Sequence, residues 1–222
     1  MPQTRPEPRL LTPNDLPAVL ALGQAAGGAL PPGFLVPRSE AEIAARLAGE
    51  HGAVFGIVEQ GVLLAMAMLR MHHPGEPQRL RFPMVPEADW PQGCCGMEHA
   101  LVHPASRGRG FQRALLAARL AHAATVGARW AIAGTRLANA ASWRNLLAQG
   151  FAIVGQRHDM GAPVFGLLRG VTAPLATWPD DLLRVDAEDA TGHDAALAAG
   201  LVGVALGADG RVPYRRPAPL PG

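Results

Sequence analysis

The order of apolar and polar residues predicts two helices in the first fifty positions, after a short strand at "RLL". Thr12 is typical of a helix N-cap and Pro13 of the first helical position. The segment "SEAEIAARLAGEH" opens with a capping box, Ser39 and Glu42, and predicts the second helix. The apolar residues of the first helix recur at helical spacing and predict its buried face: Leu16, Val19, Leu20 and Leu22.

Strand-like and helical runs then alternate. "GAVFGIVEQ" and "GVLLAMAMLRM" meet at Gln60-Gly61 and predict an antiparallel hairpin. Residues 94–102 predict the next strand, and "FQRALLAARLAHAATV" predicts an amphipathic helix that ends at Gly127. "RWAIAGT" predicts a strand, followed by a helix capped by Asn139 and ended by Gly150. "FAIVGQR" and "PVFGLLR" predict a last hairpin of this region.

Two regions lack this regular alternation. Residues 72–92 are rich in proline and predict a long irregular connection over one edge of the sheet. Residues 171–222 contain one predicted helix over 186–199 and a glycine-turned hairpin at Asp209-Gly210. Because about fifty residues make a marginal core alone, we interpret residues 1–170 as the domain. The remainder is interpreted as a C-terminal extension that packs on this domain or on a partner subunit.

Composition narrows the class of protein. With 222 residues, of which 49% are hydrophobic, the chain is long and apolar enough to bury a core. Its formal charge of +2 argues against a general binder of nucleic acid or membrane surfaces. All 20 basic residues are arginine, so only the placement of a particular arginine can indicate an anion site.

The sequence favours a cytoplasmic protein without a metal. The N-terminal residues lack an apolar signal region, and the longest apolar run, Val62 to Leu69, has the length of a strand. The two cysteines, Cys94 and Cys95, are adjacent. Neighbouring cysteines rarely close a relaxed disulfide and cannot form a four-ligand zinc site alone, so we interpret them as small buried strand residues.

The stretch "VHPASRGRGFQRALL" places glycines and arginines where a strand passes into a helix. Pro104 stops further strand pairing, and the turn amides and first helical amides would converge on one concavity with partial positive charge. Gly108 and Gly110 let an anion approach the backbone without a Cβ in the way, and Arg107 and Arg109 add full charges. This arrangement predicts a phosphate or pyrophosphate cradle. The alternative is a solvated basic turn ahead of a helix.

Two motifs in register resemble the signatures of the GNAT superfamily of acyl-CoA-dependent N-acetyltransferases. The first, roughly V-x-P-x-x-R-G-x-G-(I/L)-(G/A)-x-x-L-L, is matched by Val102, Pro104, Arg107, Gly108, Gly110, Phe111, Gln112, Leu115 and Leu116. The second, N-x-x-(A/S)-x-x-x-(Y/L)-x-x-x-G-F, is matched by Asn139, Ser142, Leu146, Gly150 and Phe151. The resemblance covers about residues 9–170. It implies an α/β (α+β) fold: a mixed, mostly antiparallel sheet of six to seven strands, splayed after the fourth and flanked by helices.

The resemblance also implies how the cosubstrate acetyl-CoA binds. Its pantetheine arm would insert where the strands part and pair with backbone groups of Leu101 and Val102. Asn139 and Ser142 would lie against that arm or its thioester end. The pyrophosphate would contact the loop and the start of the helix at Arg107, Gly108, Arg109, Gly110, Phe111, Gln112 and Arg113.

The chain departs from the family's pattern at two positions. Gln112 replaces a small residue of the cradle and is tolerated if its side chain points away from the phosphate. Leu146 replaces a tyrosine that protonates the departing thiolate in many relatives, and the single tyrosine of the chain is Tyr214. A coenzyme A thiol has a pKa of about 8 to 9, like cysteine, so its unassisted departure is chemically reasonable. Two alternatives therefore stay open: an N-acetyltransferase, and an acyl-CoA-binding or sensing module with the same fold and little catalysis.

An amine must lose its proton to attack a thioester, and Glu98 is the predicted catalytic base. Two-residue alternation along the strand would place Glu98 on the side of Ala100 and Val102. The alternative is an ordinary strand carboxylate paired with an arginine. We interpret His99 and His103 as packed or surface histidines.

The predicted function is transfer of an acetyl group from acetyl-CoA to a primary amine, on a small molecule or a peptide, by direct attack in a ternary complex. Glu76, Glu87 and Asp89 could attract a cationic amine, although any soluble surface carries scattered acids. Trp90 is the aromatic residue best placed to touch a substrate, and loop packing explains its position equally well. No nucleic-acid or membrane partner is expected, and a homodimer is compatible with the sequence. The competing nucleic-acid interpretation would use Arg107, Arg109, Arg113 and Arg119.

Overall fold

The computed structural model describes six stretches of the chain: residues 6–31, 34–72, 84–85, 87–90, 92–159 and 161–219. The chain divides into two compact units. The first unit comprises Met1–Glu76 and Cys95–Ala128, and the second comprises Pro77–Cys94 and Arg129–Gly222.

The first unit contains four antiparallel strands and three helices. The strands occur in the spatial order β1 (Arg9–Leu10), β2 (Gly52–Glu59), β3 (Val62–Met71) and β4 (Cys94–Val102). The helices are α1 (Leu16–Gly27), α2 (Glu40–Leu47) and α3 (Phe111–Thr125).

The sheet of the first unit is covered on both faces. Helices α1 and α2 pack against side chains from β2, β3 and β4 in one apolar core, which contains Val19, Leu22, Ile43, Val54, Met66, Met68 and Leu101. Helix α3 packs on β2 and β3, where His122 meets the edge of Phe55 with ring centroids 5.5 Å apart. Because Val54 and Phe55 are neighbours in β2, they point to opposite faces, so α3 lies on the face away from α1 and α2.

The local signals for the first helices and the hairpin are confirmed. In the capping box, Ser39 Oγ accepts from the amide of Glu42 at 3.2 Å, and the amide of Ser39 donates to Glu42 Oε2 at 2.8 Å. Thr12 caps a 3₁₀ turn, Pro13–Asp15, that leads directly into α1. Gln60 and Gly61 both have positive φ, +51° and +78°, as a two-residue turn between twisted strands requires.

The second unit has six strands, and all five neighbouring pairs are antiparallel. Their spatial order is β5 (Trp130–Arg136), β7 (Ala162–Gly170), β6 (Ala152–Asp159), β9 (Val202–Gly203), β10 (Arg211–Arg215) and β8 (Leu183–Asp186). The predicted strand, capped helix and last hairpin are β5 (Trp130–Arg136), α4 (Ala140–Leu147), β6 (Ala152–Asp159) and β7 (Ala162–Gly170). Among the described residues, the stretch up to Gly170 thus contains seven strands.

Residues 171–219 extend the sheet of the second unit. They form β8 (Leu183–Asp186), α5 (Ala190–Ala198), β9 (Val202–Gly203) and β10 (Arg211–Arg215), and Gly203 pairs with Ile153 of β6. The helix is shorter than the range 186–199 because Asp186 pairs with Arg211 in the sheet and Asp189 caps α5 by accepting from the amide of Gly192 at 2.9 Å. The division of the chain at residue 170 stays a prediction.

The core of the second unit contains a buried polar pair, His193 and Tyr214, and neither side chain has exposed surface. The hydroxyl of Tyr214 is hydrogen-bonded to His193 Nδ1 at 2.8 Å, and His193 Nε2 lies 3.4 Å from the carbonyl oxygen of Ala187. The imidazole packs edge-on against Phe165 with a centroid distance of 4.8 Å. Both contacts suit a neutral imidazole, and burial lowers the pKa of His193.

This pair predicts a pH-dependent stability. Because the folded protein disfavours a proton on His193, the unfolded chain binds it first, at a pKa of about 6.5. The free energy of unfolding should therefore be highest above that pH and fall as the pH is lowered towards 5, by up to about 1.4 kcal/mol per pH unit for this one proton. Urea denaturation of the parent protein and of His193→Asn at pH 7, 6 and 5 should show a smaller slope in the variant.

The exposed His158 of β6 provides the matched control for that measurement. His158→Asn should keep the slope of the parent protein. Equal slopes in the parent protein and in His193→Asn would contradict the interpretation.

Candidate functional site

The loop between β4 and α3 adopts the geometry that an anion site needs. It begins with a 3₁₀ turn, Pro104–Ser106, whose cap His103 accepts from the amide of Ala105 at 3.3 Å. The first helical hydrogen bond of α3 runs from the amide of Ala114 to the carbonyl of Gly110 at 3.2 Å. The amides of Phe111 and its two successors therefore point out of the N-terminal end of the helix, where the helix dipole is positive.

Glycine is required at two positions of this loop by backbone conformation. Gly108 has φ +79° and Gly110 has φ +76°, in the left-handed region that other residues rarely adopt. A Cβ built on Gly108 would meet no atom of another residue within 4 Å. Open space above Gly108 is what close approach of a phosphate to the backbone demands.

The two arginines of the loop have different roles. Arg109 forms a bidentate ion pair with Glu59 at the end of β2, with distances of 2.9 and 2.8 Å, and its guanidinium lies over the ring of Phe111 at 4.6 Å. The hydrogen bonds from Arg109 lower the pKa of Glu59. Arg107 is exposed, and its side chain makes no hydrogen bond or ion pair with any residue that the structure describes. Arg107 can therefore supply the charge beside the loop, whereas Arg109 anchors the loop to the β2–β3 hairpin.

Strand β4 contains a bulge that changes the predicted orientation of Glu98. Glu98 pairs with Met68 and Leu101 pairs with Met66, so two residues of β4, His99 and Ala100, lie opposite one residue of β3. His99 has φ +48° at this point. Simple alternation, which placed Glu98 with Ala100 and Val102, is therefore wrong here.

The register assigns each site residue of β4 to a face. Glu98 and Leu101 lie on the face covered by α1 and α2, because paired residues of antiparallel strands share a face with their partners Met68 and Met66. Val102 pairs with Ala65 and lies on the opposite face. The bulge thus separates the predicted base from the strand end that leads into the loop.

A buried arginine contacts the bulge from the α3 side. Arg119 is only 2% exposed, and its Nη1 lies 3.1 Å from the carbonyl oxygen of Met68 and 3.4 Å from that of Glu98. Its Nε donates to the carbonyl of Leu115 at 3.3 Å. Burial lowers the pKa of this guanidinium to about 10. Arg119 thus provides a hydrogen-bond donor to the carbonyls of Met68 and Glu98, which are paired residues next to the bulge between β3 and β4.

This role of Arg119 was not predicted from the sequence, although its position in the sequence indicates a buried side chain. Arg119 follows Leu115 by four residues and Leu116 by three, so it lies on the apolar face of α3 that both leucines bury. An arginine on such a face needs buried hydrogen-bond acceptors. Its burial also removes Arg119 from the set of arginines that the nucleic-acid interpretation required.

Glu98 lines a small cavity on the α2 side of β4. The volume is about 170 Å³, and the polar and charged residues around it are Arg38, Glu42, Arg46, Glu50, His51 and Glu98. Glu98 Oε2 lies 3.0 Å from Arg38 Nη2, and Oε1 lies 3.6 Å from Arg70 Nη1. Next to it, burial and then the charge of Arg38 lower the pKa of His99. Glu98 therefore has the ion pairs expected of an ordinary strand carboxylate, and it also lines a cavity of the kind that a catalytic base would need.

In the second unit, Asn139 and Ser142 form the start of α4. Asn139 Oδ1 accepts from the amide of Ser142 at 3.3 Å, which confirms the predicted N-cap. Leu146 is buried, at 7% exposure, so no polar group takes the position of the family's tyrosine. The hydroxyl of Tyr214 is held in the core by His193, and burial raises its pKa.

In the described part of the connection at 84–92, Asp89 and Trp90 do not offer the predicted substrate contacts, whereas Glu87 is exposed and its role stays a prediction. Asp89 is 6% exposed, forms an ion pair with Arg129 and accepts from Trp130 Nε1 at 2.7 Å. Its expected role in attracting an amine is therefore wrong, because its charge is compensated inside the unit. Trp90 is buried against Val85, Cys94, Ile132 and Leu168, which favours packing. Glu76 lies outside the described residues.

Both cysteines are buried and unlinked, as the sequence predicted. Burial raises the pKa of the Cys94 thiol to about 12, so it is poorly suited to nucleophilic or ligand chemistry. Within the stretches that the structure describes, no helix is long and apolar enough to cross a membrane.

A mostly antiparallel sheet flanked by helices, with a glycine-bearing loop between a bulged strand and a helix, agrees with the fold of acyl-CoA-dependent acyltransferases that the two sequence motifs implied. A family model described as "Acetyltransferase (GNAT) family" matches residues 25–151, and the chain belongs to this family. Acetyl-CoA-dependent acetyl transfer is general to the family. The predicted family and fold class are confirmed.

Solved structures with the same fold are distant in sequence. A putative acetyltransferase from Salmonella typhimurium, yncA, solved with its cofactor acetyl-CoA, is 19% identical with a TM-score of 0.59, over 80% of this chain and 99% of that chain. The ribosomal-protein-S18-alanine N-acetyltransferase from Escherichia coli is 19% identical with a TM-score of 0.56, over 78% and 97%. A GCN5-related N-acetyltransferase from Kribbella flavida is 18% identical with a TM-score of 0.57, over 74% and 96%. No curated protein sequence matches the chain.

Arg119 provides a test of the bulge. In Arg119→Met the carbonyls of Met68 and Glu98 lose the hydrogen bonds from Arg119. The free energy of unfolding should fall only moderately, because the variant no longer has to bury a charge. We expect amide hydrogen exchange at residues 99–101 to accelerate at least tenfold, with little change in α1. Arg113→Met, a substitution of an exposed arginine in the same helix, is the control. Unchanged exchange at the bulge would show that strand pairing alone maintains it.

Proposed function

We propose that this protein transfers an acetyl group from acetyl-CoA to a primary amine by direct attack in a ternary complex. The observation that carries the proposal is the loop from Arg107 to Arg113, with two left-handed glycines, open space above Gly108 and the N-terminus of α3. Membership of the acetyltransferase family supports it. The name of one structural neighbour, the ribosomal-protein-S18-alanine N-acetyltransferase from Escherichia coli, is consistent with it.

The residues of the loop fit the diphosphate of coenzyme A. Backbone amides from Arg107 to Gln112, with Arg113 as a further contact, would bind the phosphate oxygens. The exposed Arg107 guanidinium would add charge. Leu101, Val102, Asn139 and Ser142 are the proposed contacts of the pantetheine arm. Bound acetyl-CoA supplies the acetyl group as a thioester, and these contacts would hold it in place for attack.

Glu98 is the proposed base. Its carboxylate lines a cavity large enough for an acceptor, and Arg38 and Arg70 fix its orientation. Glu98 would accept the proton of the acceptor ammonium, directly or through a water, so that the neutral nitrogen can form the new N–C bond as the C–S bond breaks. The buried Leu146 leaves the thiolate to depart without a phenolic acid.

The competing function is an acyl-CoA-binding or sensing module with little catalysis. It is favoured by the same buried Leu146 and by the enclosed hydroxyl of Tyr214. The two functions differ in one measurable property. Both predict stabilisation by acetyl-CoA, and only the enzyme releases coenzyme A thiol when amines are added.

The loop is tested by a pair of glycine variants with equal backbone strain. Gly108 and Gly127 have φ of +79° and +81°, and a Cβ on either meets nothing within 4 Å. Alanine at either position should cost about 1–2 kcal/mol of stability. Only Gly108→Ala should weaken acetyl-CoA binding, by tenfold or more in isothermal titration, because its Cβ occupies the space assigned to the phosphate. Equal affinities in the two variants would refute the cradle.

Glu98→Gln tests the base. We expect kcat to fall by about 10²–10⁴-fold, while the affinity for acetyl-CoA stays within twofold, since Glu98 lies on the other face from Val102. The measurement is thiol release over an amine panel, with exposed Glu188→Gln as the control for loss of one carboxylate. Undiminished turnover would remove Glu98 as base and leave the family assignment intact.

A further inference from the structure

The cavity beside Glu98 is lined by charged side chains that form a network of ion pairs. Arg38 contacts two carboxylates, Glu98 through Nη2 at 3.0 Å and Glu42 through Nη1 at 3.4 Å. Glu98 in turn has a second arginine, Arg70, at 3.6 Å. The side chains of Arg38 and Glu98 are only 28% and 23% exposed, so this pair is stronger and harder to separate than a surface pair.

One N–H group of Arg38, at Nε, has no acceptor among the described residues. Its Nε is buried and makes no hydrogen bond to any described residue. Nε and Nη2 form one edge of the planar guanidinium, the edge that binds carboxylates side-on with two parallel bonds. At present Glu98 uses only the Nη2 half of that edge. A carboxylate that also reached Nε would bind Arg38 more strongly than Glu98 does.

The volume of the cavity limits what it can hold. About 170 Å³ is far more than the roughly 10–15 Å³ that one water needs. It is below the range of about 300–1,000 Å³ typical of pockets for drug-sized ligands. The cavity therefore suits a small acceptor or the terminal part of a larger one.

The charges decide which small acceptor fits best. An acceptor with only an ammonium group would compete with Arg38 for Glu98 and leave Arg38 with one partner in a half-buried site. An acceptor with only a carboxylate would leave Glu98 with one partner. Removing one partner of a buried pair is costly because the other charge stays uncompensated. A molecule that carries both groups replaces each lost partner and avoids that cost.

We propose that the acceptor is a small α-amino acid or a close analogue, whose carboxylate binds Arg38 and whose ammonium binds Glu98. This inference rests on the proposed function. On binding, the Arg38–Glu98 pair is exchanged for two pairs with the substrate, while Glu42 stays with Arg38 and Arg70 stays with Glu98. The acceptor thereby releases the base from Arg38 in the same step that delivers the amine to it.

The exchange also accounts for product release. Glu98 takes one proton from the ammonium, and the nitrogen forms the N–C bond to the acetyl carbonyl. The C–S bond breaks with its electron pair on the departing sulfur, and the second proton of the nitrogen goes to that thiolate, so that coenzyme A leaves as the thiol. The product is an N-acetyl amino acid with a carboxylate and no positive charge. It can no longer satisfy Glu98, so the Arg38–Glu98 pair re-forms after the proton leaves and competes with the product for Arg38.

The experiment compares matched acceptors in the full-length protein with acetyl-CoA. The probes are L-leucine and L-glutamate, the α-amides of both, the methyl ester of L-leucine, and benzylamine. We expect kcat/KM for each free amino acid to exceed that for its amide or ester by ten- to hundredfold, mainly through KM. Esters and amides lower the basicity of the neighbouring amine, so intrinsic reactivity works against this preference.

Arg38→Gln should abolish the preference. For free amino acids KM should rise by ten- to hundredfold, the range expected for a charged bidentate contact. For esters and amides KM should be unchanged or lower, because Glu98 is then no longer held by Arg38. Arg184→Gln, at an exposed arginine of β8, is the control for loss of one charge. Titration of L-leucine into the protein saturated with coenzyme A gives a readout that does not depend on turnover.

The outcomes separate this inference from the proposed function. Turnover of amides, esters or benzylamine with no advantage for the carboxylate would overturn the inference and leave the proposed function standing. A carboxylate preference that Arg38→Gln does not change would also overturn it. Stabilisation by acetyl-CoA without thiol release from any probe, and without heat on titration of L-leucine, would overturn the inference and favour the binding module.

Discussion

The site depends on one irregularity in strand β4, where two residues face one. The bulge at His99 and Ala100 places Glu98 on the face of α1 and α2, while Val102 lies on the other face and leads into the anion loop. Arg119 contacts the bulge from inside the core by donating hydrogen bonds to the carbonyls of Met68 and Glu98. A buried cation that bonds only to carbonyls is a costly device. Here Arg119 donates to two carbonyl oxygens at the bulge, where the regular pairing of β3 and β4 is interrupted.

The loop and the acceptor cavity rely on different kinds of charge. The loop combines helix and turn amides with the guanidinium of Arg107, which has no partner among the described residues, whereas Arg109 is bound to Glu59. Such a site is preorganised for a strong anion and needs no rearrangement. In the cavity, Arg38 is already paired with Glu98, so a ligand must replace existing pairs. On the proposed function, the first arrangement would favour affinity for a common cosubstrate, and the second would favour discrimination between acceptors.

Sequence reasoning succeeded where the signal is local. Capping residues such as Ser39 and Asn139, the turn at Gln60-Gly61 and the glycine loop act through neighbours within a few positions, so their geometry follows from residue type. It failed for the orientation of Glu98, because a bulge is decided by pairing with a distant strand and by Arg119 from another element. Strand β8 was missed for the same reason, since its residues are fixed by Arg211 and its neighbours in β10.

The arginine pairs around Glu98 bear on what kind of base it can be. Each of its two carboxylate oxygens faces a guanidinium, Arg38 at 3.0 Å and Arg70 at 3.6 Å. Under the proposed exchange, a ligand that draws Arg38 away would free one oxygen of Glu98 as the ammonium arrives. Coupling the availability of the base to occupancy of the cavity would restrict proton transfer to bound acceptors, and it needs no residue beyond those already in contact.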